Sequence, residues 1–192
     1  TNDFHGALEA RPVGNGAVLG GAGAVAAAIA RAQNECMPVA CQTLVVDGGD
    51  EFQGTPASNL AFGKPVAEIF NSIGYAAAAL GNHEFDWGQD TLRAMMRRTR
   101  YSFLGANVRY PDGRDVEWIS NDTLVRRGPL TIGIIGVALE TTPAETRPVN
   151  TAGLRFDRSA PIVDSLARAL RAEGADAIVV LAHAGAYCSG DG

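Results

Sequence analysis

Gly81-Asn82-His83-Glu84-Phe85-Asp86 closes an apolar run that begins at Ile73. A strand stopping abruptly in a Gly-Asn-His turn places an amide oxygen and an imidazole at its carboxyl edge, where open α/β sheets build ligand sites. Asn82 can offer its side-chain oxygen to a hard cation. His83 can offer a proton, provided that a carboxylate such as Asp86 fixes its tautomer. Partners for such chemistry stand in three other stretches. Asp3 and His5 lie two residues apart, a spacing that points both side chains the same way on an extended segment and makes a chelating pair. Asp50 follows Gly48-Gly49 after the apolar residues 43–46, and a carboxylate there can bridge two cations. His183 follows the apolar residues 177–182.

The chain holds 3 histidines, and all of them sit at or beside these strand ends. A lone histidine is more often a satisfied surface or core residue than a ligand, but chance would scatter three. Asp3 and Asp50 taken alone read as turn residues; beside the histidines they read as metal ligands. Other groups carry less. Gln53 and Asn59 suit loop hydrogen bonds, and Asn107 suits a structural role. Gly21-x-Gly23-x-x-Ala26 mimics a dinucleotide fingerprint, but no good strand precedes it and no acid follows at the required distance; these glycines suit tight packing of a helix start. Arg93, Arg97, Arg98 and Arg100 read as a solvated helix end that complements the C-terminal dipole.

Periodicity supplies the elements that must position these groups. Helices are expected over 21–34, 59–72, 89–98 and 158–173, and strands over 43–46, 75–80 and 176–182. Strand, loop and helix recurring in this order imply parallel pairing with right-handed crossovers. Residues 102–108, 116–126 and 130–137 read as strands with no room for helices between them, so antiparallel pairing is expected there. Residues 6–20 and 140–156 read as loops. The expectation is an α/β fold of one domain.

At 192 residues the chain can bury a substantial core without staples. A hydrophobic fraction of 46% with 19% charged residues is ordinary for a globular protein and excludes disorder. A net charge of -5 argues against a surface for a nucleic acid polymer. No apolar run approaches the roughly 18–20 residues of a membrane span. Of the 3 cysteines, Cys36 and Cys41 are close enough to close a small loop, and Cys188 is left over; a disulfide and reduced thiols both stay open.

Four stretches, Thr1-Asn2-Asp3-Phe4-His5-Gly6, Asp47-Gly48-Gly49-Asp50-Glu51-Phe52-Gln53-Gly54-Thr55, Gly81-Asn82-His83-Glu84-Phe85-Asp86-Trp87-Gly88 and Leu181-Ala182-His183-Ala184-Gly185, resemble in order four motifs of the 5′-nucleotidase branch of the calcineurin-like metallophosphoesterases. A fifth motif of that family, Gly-His-x-His, is not among residues 1–192, and the strand that leads into the first motif would precede Thr1. The chain is accordingly expected to be a catalytic-domain fragment, incomplete at both ends, without the C-terminal domain that supplies the nucleoside pocket. The resemblance implies a four-layer sandwich of two mixed β-sheets flanked by helices. It also implies two divalent cations (Mn, Zn, Fe or Co), held roughly 3.5–4 Å apart in two-metal hydrolases. Carried over by position, Asp3 and His5 bind the first, Asn82 and His183 the second, and Asp50 bridges both. His83 is no ligand but stabilises the transferring phosphoryl group, with Asp86 holding its ring. Asp47 and Glu84 match positions that vary or serve the scaffold.

The implied substrate is a small phosphoester. Nucleoside 5′-monophosphates come first, then 2′,3′-cyclic nucleotides or nucleotide sugars. Export is common in this branch, so a periplasmic, cell-surface or secreted location is expected. Sulfur-ester hydrolases are related, but the intact Gly-Asn-His-Glu-Phe-Asp favours phosphoesters. A non-catalytic binding or structural module is the alternative of a different class.

Overall fold

The computed structural model describes residues 1–36 and 41–185. Pro38 and Cys188 lie outside them. In chain order the strands are β1 (Arg11–Pro12), β2 (Val18–Leu19), β3 (Val46–Asp47), β4 (Ala77–Ala79), β5 (Ser102–Leu104), β6 (Val108–Arg109), β7 (Asp122–Arg127), β8 (Leu130–Val137), β9 (Arg155–Phe156) and β10 (Ala177–Ala182). The helices are α1 (Ala22–Cys36), α2 (Pro56–Asn59), α3 (Lys64–Ile73), α4 (Gln89–Met96), α5 (Thr142–Glu145) and α6 (Ser159–Ala172).

Two three-stranded sheets carry the fold. In one, β3, β4 and β5 are all parallel. In the other, β8 lies between β10, parallel to it, and β7, antiparallel. Side chains alternate across each strand, and this alternation divides the core into layers. Ala77, Ala79 and Leu104 from the first sheet meet Ile132, Ile134, Val179 and Leu181 from the second, which fills the space between the sheets. The opposite face of the first sheet, with Ala78, Leu80 and Phe103, packs on Val66, Ala67 and Phe70 of α3, Leu92 and Met95 of α4, and Val25 and Ile29 of α1. The opposite face of the second sheet, with Ile135, Val137 and Ile178, packs on Ile162, Leu166 and Leu170 of α6. Helices, sheet, sheet and helix make the expected four layers, but only the second sheet is mixed; among the described residues the first is all parallel, because its successive strands are joined through helical crossovers. The sheets approach closely at Gly136, where a Cβ would lie 2.3 Å from the Leu104 Cβ.

Several boundaries differ from the sequence reading, each for a local reason. Residues 59–72 do not form one helix: Phe62 and Gly63 both adopt positive φ, which no helix tolerates, so α2 stops and α3 restarts with Pro65 in its first turn. Gly74, at φ 90°, caps α3 by donating its N–H to the Phe70 carbonyl. The strand expected over 102–108 ends at Leu104, and its β5 pairs parallel with β4 rather than antiparallel with its successor. Within 116–126 only the part from Asp122 is strand, and it pairs antiparallel with β8 as expected. Residues 43–45 are not strand, although the Val45 carbonyl still accepts the Ala76 N–H. Residues 6–20 contain the small β1–β2 hairpin, and 140–156 contain α5, a 3-10 turn (Pro148–Thr151) and β9.

Asn107 is structural, as expected. Its Nδ2 donates to the Ala138 and Asp157 carbonyls, and its Oδ1 accepts the Ala138 N–H. Gly21 packs tightly at the start of α1, where a Cβ would lie 2.7 Å from the Ala10 nitrogen, whereas Gly23 faces open space. Cys36 and Cys41 are joined as a disulfide, with Cα atoms 5.2 Å apart.

Candidate metal centre

Strands β3, β4 and β10 end at one rim, and the residues that follow them, Asp50, Asn82 and His183, come together there. The N-terminal segment is laid beside them by a ladder of backbone bonds: Gly48 donates to the Thr1 carbonyl, Asp3 to Gly49, His5 to Asp50 and Gly6 to Glu51. This arrangement corrects one premise. Asp3 and His5 are not on extended backbone, since their φ angles are 52° and 49°. They still converge, with His5 Nε2 3.4 Å from Asp3 Oδ1. Asp50 has φ 59°, so three of the five non-glycine residues with positive φ among the described residues belong to this site. Conformations of that kind persist where the surroundings over-determine them, and they cluster at functional sites.

Glycines make the approach possible. A Cβ on Gly81 would fall 2.1 Å from Asp50 Oδ1, and one on Gly49, itself at φ 105°, would fall 2.7 Å from the Gly81 nitrogen and 2.9 Å from His183 Nδ1. Buried Asp50 sits in the middle. Its Oδ2 is 3.3 Å from His183 Nε2 and 3.8 Å from His5 Nε2, while its Oδ1 accepts the His83 N–H at 2.9 Å. Asn82 Oδ1 is 3.2 Å from His183 Nε2.

Both candidate ligand histidines have their other nitrogen occupied. His183 Nδ1–H donates to the Gly48 carbonyl and His5 Nδ1–H to the Gln53 carbonyl, each at 2.9 Å. Backbone acceptors thus set the tautomers and turn both Nε2 atoms towards Asp50, the usual supporting arrangement of metal-binding histidines. Burial pushes the His183 imidazolium pKa down, but the hydrogen bond to Asp50, that carboxylate's charge and the Gly48 carbonyl lift it to about 9. Burial likewise raises the Asp50 carboxyl, and His183 and the His83 N–H more than reverse this, leaving it below its ordinary value.

His83 is oriented separately. Its Nδ1–H donates to Asp86 Oδ2 at 2.6 Å, and its ring stands edge-on to that of His5 with centroids 5.1 Å apart. Burial lowers its pKa, but Asp86 and the charges of Asp50 and Glu84 raise it overall.

Glu84 and Asp47 serve the scaffold, as expected. The Glu84 carboxylate accepts three backbone N–H groups, from Asp50, Glu51 and Gly81, each at 2.8 Å, and so ties the turn after β3 to the turn after β4. Burial, then the charge of Asp50, raises its pKa to about 7 against those three donors. Asp47 accepts from Thr1 Oγ1 and from the Gly49 N–H. Asn59 Oδ1 accepts the Gly54 N–H, as expected, whereas Gln53 contributes its backbone carbonyl. Sequence reasoning did not find buried Glu51, whose Oε2 accepts from Tyr101 Oη at 2.5 Å while its Oε1 has no partner among the described residues. It also did not find Thr146 and Asn150, which hold Asp86 from a segment that reads as featureless loop.

Asp3, His5, Asp50, Asn82, His83 and His183 line an open cleft of about 320 Å3, completed by Asn2, Leu139, Ala184 and Gly185. A larger cleft of about 410 Å3 lies beside Arg93, Arg97 and Trp118 and contains none of them. Two groups, Asp3–Asp50–His183 and His5–Asp50–His83, each bring three donor atoms within 4.8 Å of one another, and both use Asp50. Carboxylate, amide oxygen and imidazole suit a borderline divalent cation better than Ca2+, so the donor set fits one. The grouping by distance differs from the expected pairing of Asp3 with His5 and of Asn82 with His183. No helix among the described residues is long and apolar enough to cross a membrane.

No protein-family model matches the chain. Over 149 residues it is 34% identical to a snake venom 5′-nucleotidase of Gloydius brevicauda, an alignment covering 75% of this chain and 25% of that protein. The chain therefore spans about a quarter of the length of the curated relatives it matches. A 5′-nucleotidase precursor from Thermus thermophilus superposes with a TM-score of 0.82 at 29% identity, covering 95% of this chain and 36% of that one. The calcineurin-like phosphoesterase YfkN of Bacillus subtilis gives 0.83 at 22% identity, covering 97% and 61%. The sulfate thiohydrolase SoxB of Thermus thermophilus gives 0.79 at 25%, covering 88% and 31%. The fold is that of the calcineurin-like phosphoesterases. Within it the kinship read from the four motifs holds, and the chain is a relative of the 5′-nucleotidases over the part of their length that it spans.

Proposed function

We propose that this chain carries a two-cation centre for hydrolysing phosphoric esters, and that the protein to which it belongs acts on nucleoside 5′-monophosphates. The reading rests on one observation above the others. Asp50 is buried between two imidazole Nε2 atoms, each oriented by a backbone carbonyl, with Asp3 and Asn82 beside them. A carboxylate so placed suits two cations at once. Asp3 and His5 would hold one, Asn82 and His183 the other. When bound, such cations would polarise phosphoryl oxygens and lower the pKa of a water.

The remaining chemistry falls to the chain. Asp86 keeps the His83 proton on Nδ1 and leaves Nε2 as the nitrogen available to a ligand. Asp86 and the charges of Asp50 and Glu84 outweigh burial and stabilise the imidazolium form, which suits a group that donates to a phosphoryl oxygen as charge builds and then protonates the leaving oxygen. The likeness to 5′-nucleotidases supports the nucleotide substrate, and 2′,3′-cyclic nucleotides and nucleotide sugars are secondary candidates. The nucleoside pocket is expected outside these residues. The Cys36–Cys41 disulfide and the venom origin of one relative support an exported protein.

The likeness to a sulfate thiohydrolase favours a sulfur ester as the second reading. Metal analysis combined with hydrolysis assays on AMP, 2′,3′-cyclic AMP, UDP-glucose and a thiosulfonate ester separates the readings. Metal-dependent release of phosphate from AMP is expected, weak for residues 1–192 alone. Turnover of the sulfur ester only, or no metal uptake and no turnover by the longer protein, would overturn the proposal.

A further inference from the structure

Asp86 is gripped by a segment that carries no motif. Thr146 Oγ1 donates to Asp86 Oδ1 at 2.8 Å, Asn150 Nδ2 donates to the Asp86 carbonyl at 2.9 Å, and Gln89 Nε2 donates to the Ala152 carbonyl at 2.9 Å. Three side-chain bonds thus join residues 146–152 to the stretch 86–89, which begins three residues after His83. The two carboxylate oxygens are divided: Oδ2 receives the His83 Nδ1–H and Oδ1 receives Thr146.

That division matters because the terminal torsion of an aspartate is broad and roughly two-fold. Nothing intrinsic to Asp86 fixes the plane in which it meets the imidazole. Thr146 fixes that plane, and Asn150 fixes the backbone from which the side chain starts. The chain just after this segment has other anchors, through β9, which pairs with β6, and through Asn107, which donates to the Asp157 carbonyl, and Phe85 holds the other side in the core. Asp86 and Thr146 are only half-buried, so water could replace the Thr146 hydroxyl as a donor, but it would not impose an orientation.

We propose that Thr146 and Asn150 are positioning residues that lock the Asp86 carboxylate in the plane where it orients His83. The functional half of this inference rests on the reading of His83 as the group that serves the transferring phosphoryl, and the structural half does not. The substitutions T146V, T146S and N150A test it, with two readouts. The first is the far-downfield proton resonance of His83 Nδ1–H in the metal-free chain, identified by its disappearance in H83A. It should shift or broaden in T146V and N150A and survive in T146S. The second is steady-state hydrolysis of AMP by the Mn2+-loaded protein. T146V should lower kcat about tenfold with KM nearly unchanged, the pattern of a misplaced catalytic group, and T146S should restore it.

An unmoved resonance in T146V and N150A overturns the proposal, as does T146S being as impaired as T146V, or a loss that falls on KM instead. If T146V does not fold, T146A and N150A carry the same test. A protein that hydrolyses no phosphoester overturns the reading of the site, while the resonance, which needs neither metal nor substrate, still decides whether Thr146 orders the dyad.

Discussion

His83, held by Asp86 and standing beside Asp50 without being needed to complete the expected ligand set, should act on the rate rather than on binding. Replacing it with alanine in a full-length protein is expected to lower kcat by about 10²- to 10⁴-fold with little change in KM, as measured by steady-state kinetics; unchanged turnover would remove its role. Glu51 makes a different prediction. Burial, together with the charges of Asp47 and Glu84, holds its carboxyl well above the ordinary value of 4.5. The folded state therefore keeps a proton that the unfolded state releases near that value, so stability is lost as pH rises above it. Glutamine cannot ionise, so E51Q should unfold at a higher temperature than the parent at pH 8 in EDTA, and the gap should close by pH 4. A gap independent of pH would contradict this. Asp50, Asn82 and His183 were legible as candidate ligands because each follows an apolar strand, whereas Asp3 and His5 were legible from their spacing and their motif. Glu51 was not, because it looks like one more polar loop residue until Tyr101, 50 positions away, covers it.

Elements were readable where one physical pattern ruled. Residues 130–137 were expected as a strand and are β8, and 158–173 differs from α6 by one residue at each end, because a run rich in Ile, Val and Thr and a 3.6 period leave little choice. Pairing was harder. At residues 102–108 two patterns compete: the helix over 89–98 points to a parallel crossover from β4, the run of strands that follows points to antiparallel pairing, and the crossover prevails. Residues 140–156 read as loop because prolines and threonines dominate, and such short turns take their shape from contacts such as Asn150 with Asp86. The contact between the sheets gives a test at this scale. A methyl on Gly136 would meet both the Leu104 Cβ and its backbone, and overpacking of this kind costs about 1–3 kcal/mol. G136A should lose that much stability in urea unfolding, while G153A, with nothing near its Cβ but a positive φ of 78°, tests strain alone and should lose less.

For the molecule as a whole, cation binding should stabilise the fold, because the loops after β3, β4 and β10 and the N-terminal segment all meet at Asp50. It should also be opposed by protons. A cation on His183 Nε2 must displace a proton held with a pKa of about 9, so apparent affinity should rise with pH across the neutral range and fall towards pH 5. The rise in melting temperature on adding Mn2+ at pH 6, 7 and 8 checks this, and a shift that shrinks with increasing pH would contradict it. The most direct measurement of the central claim is paramagnetic broadening of backbone amide resonances by substoichiometric Mn2+, which detects weak binding. Signals of Asp3, His5, Asp50, Asn82 and His183 should broaden first, and the selectivity should vanish in D50N. Broadening centred elsewhere, or unaltered by D50N, would show that this cleft is not a metal centre.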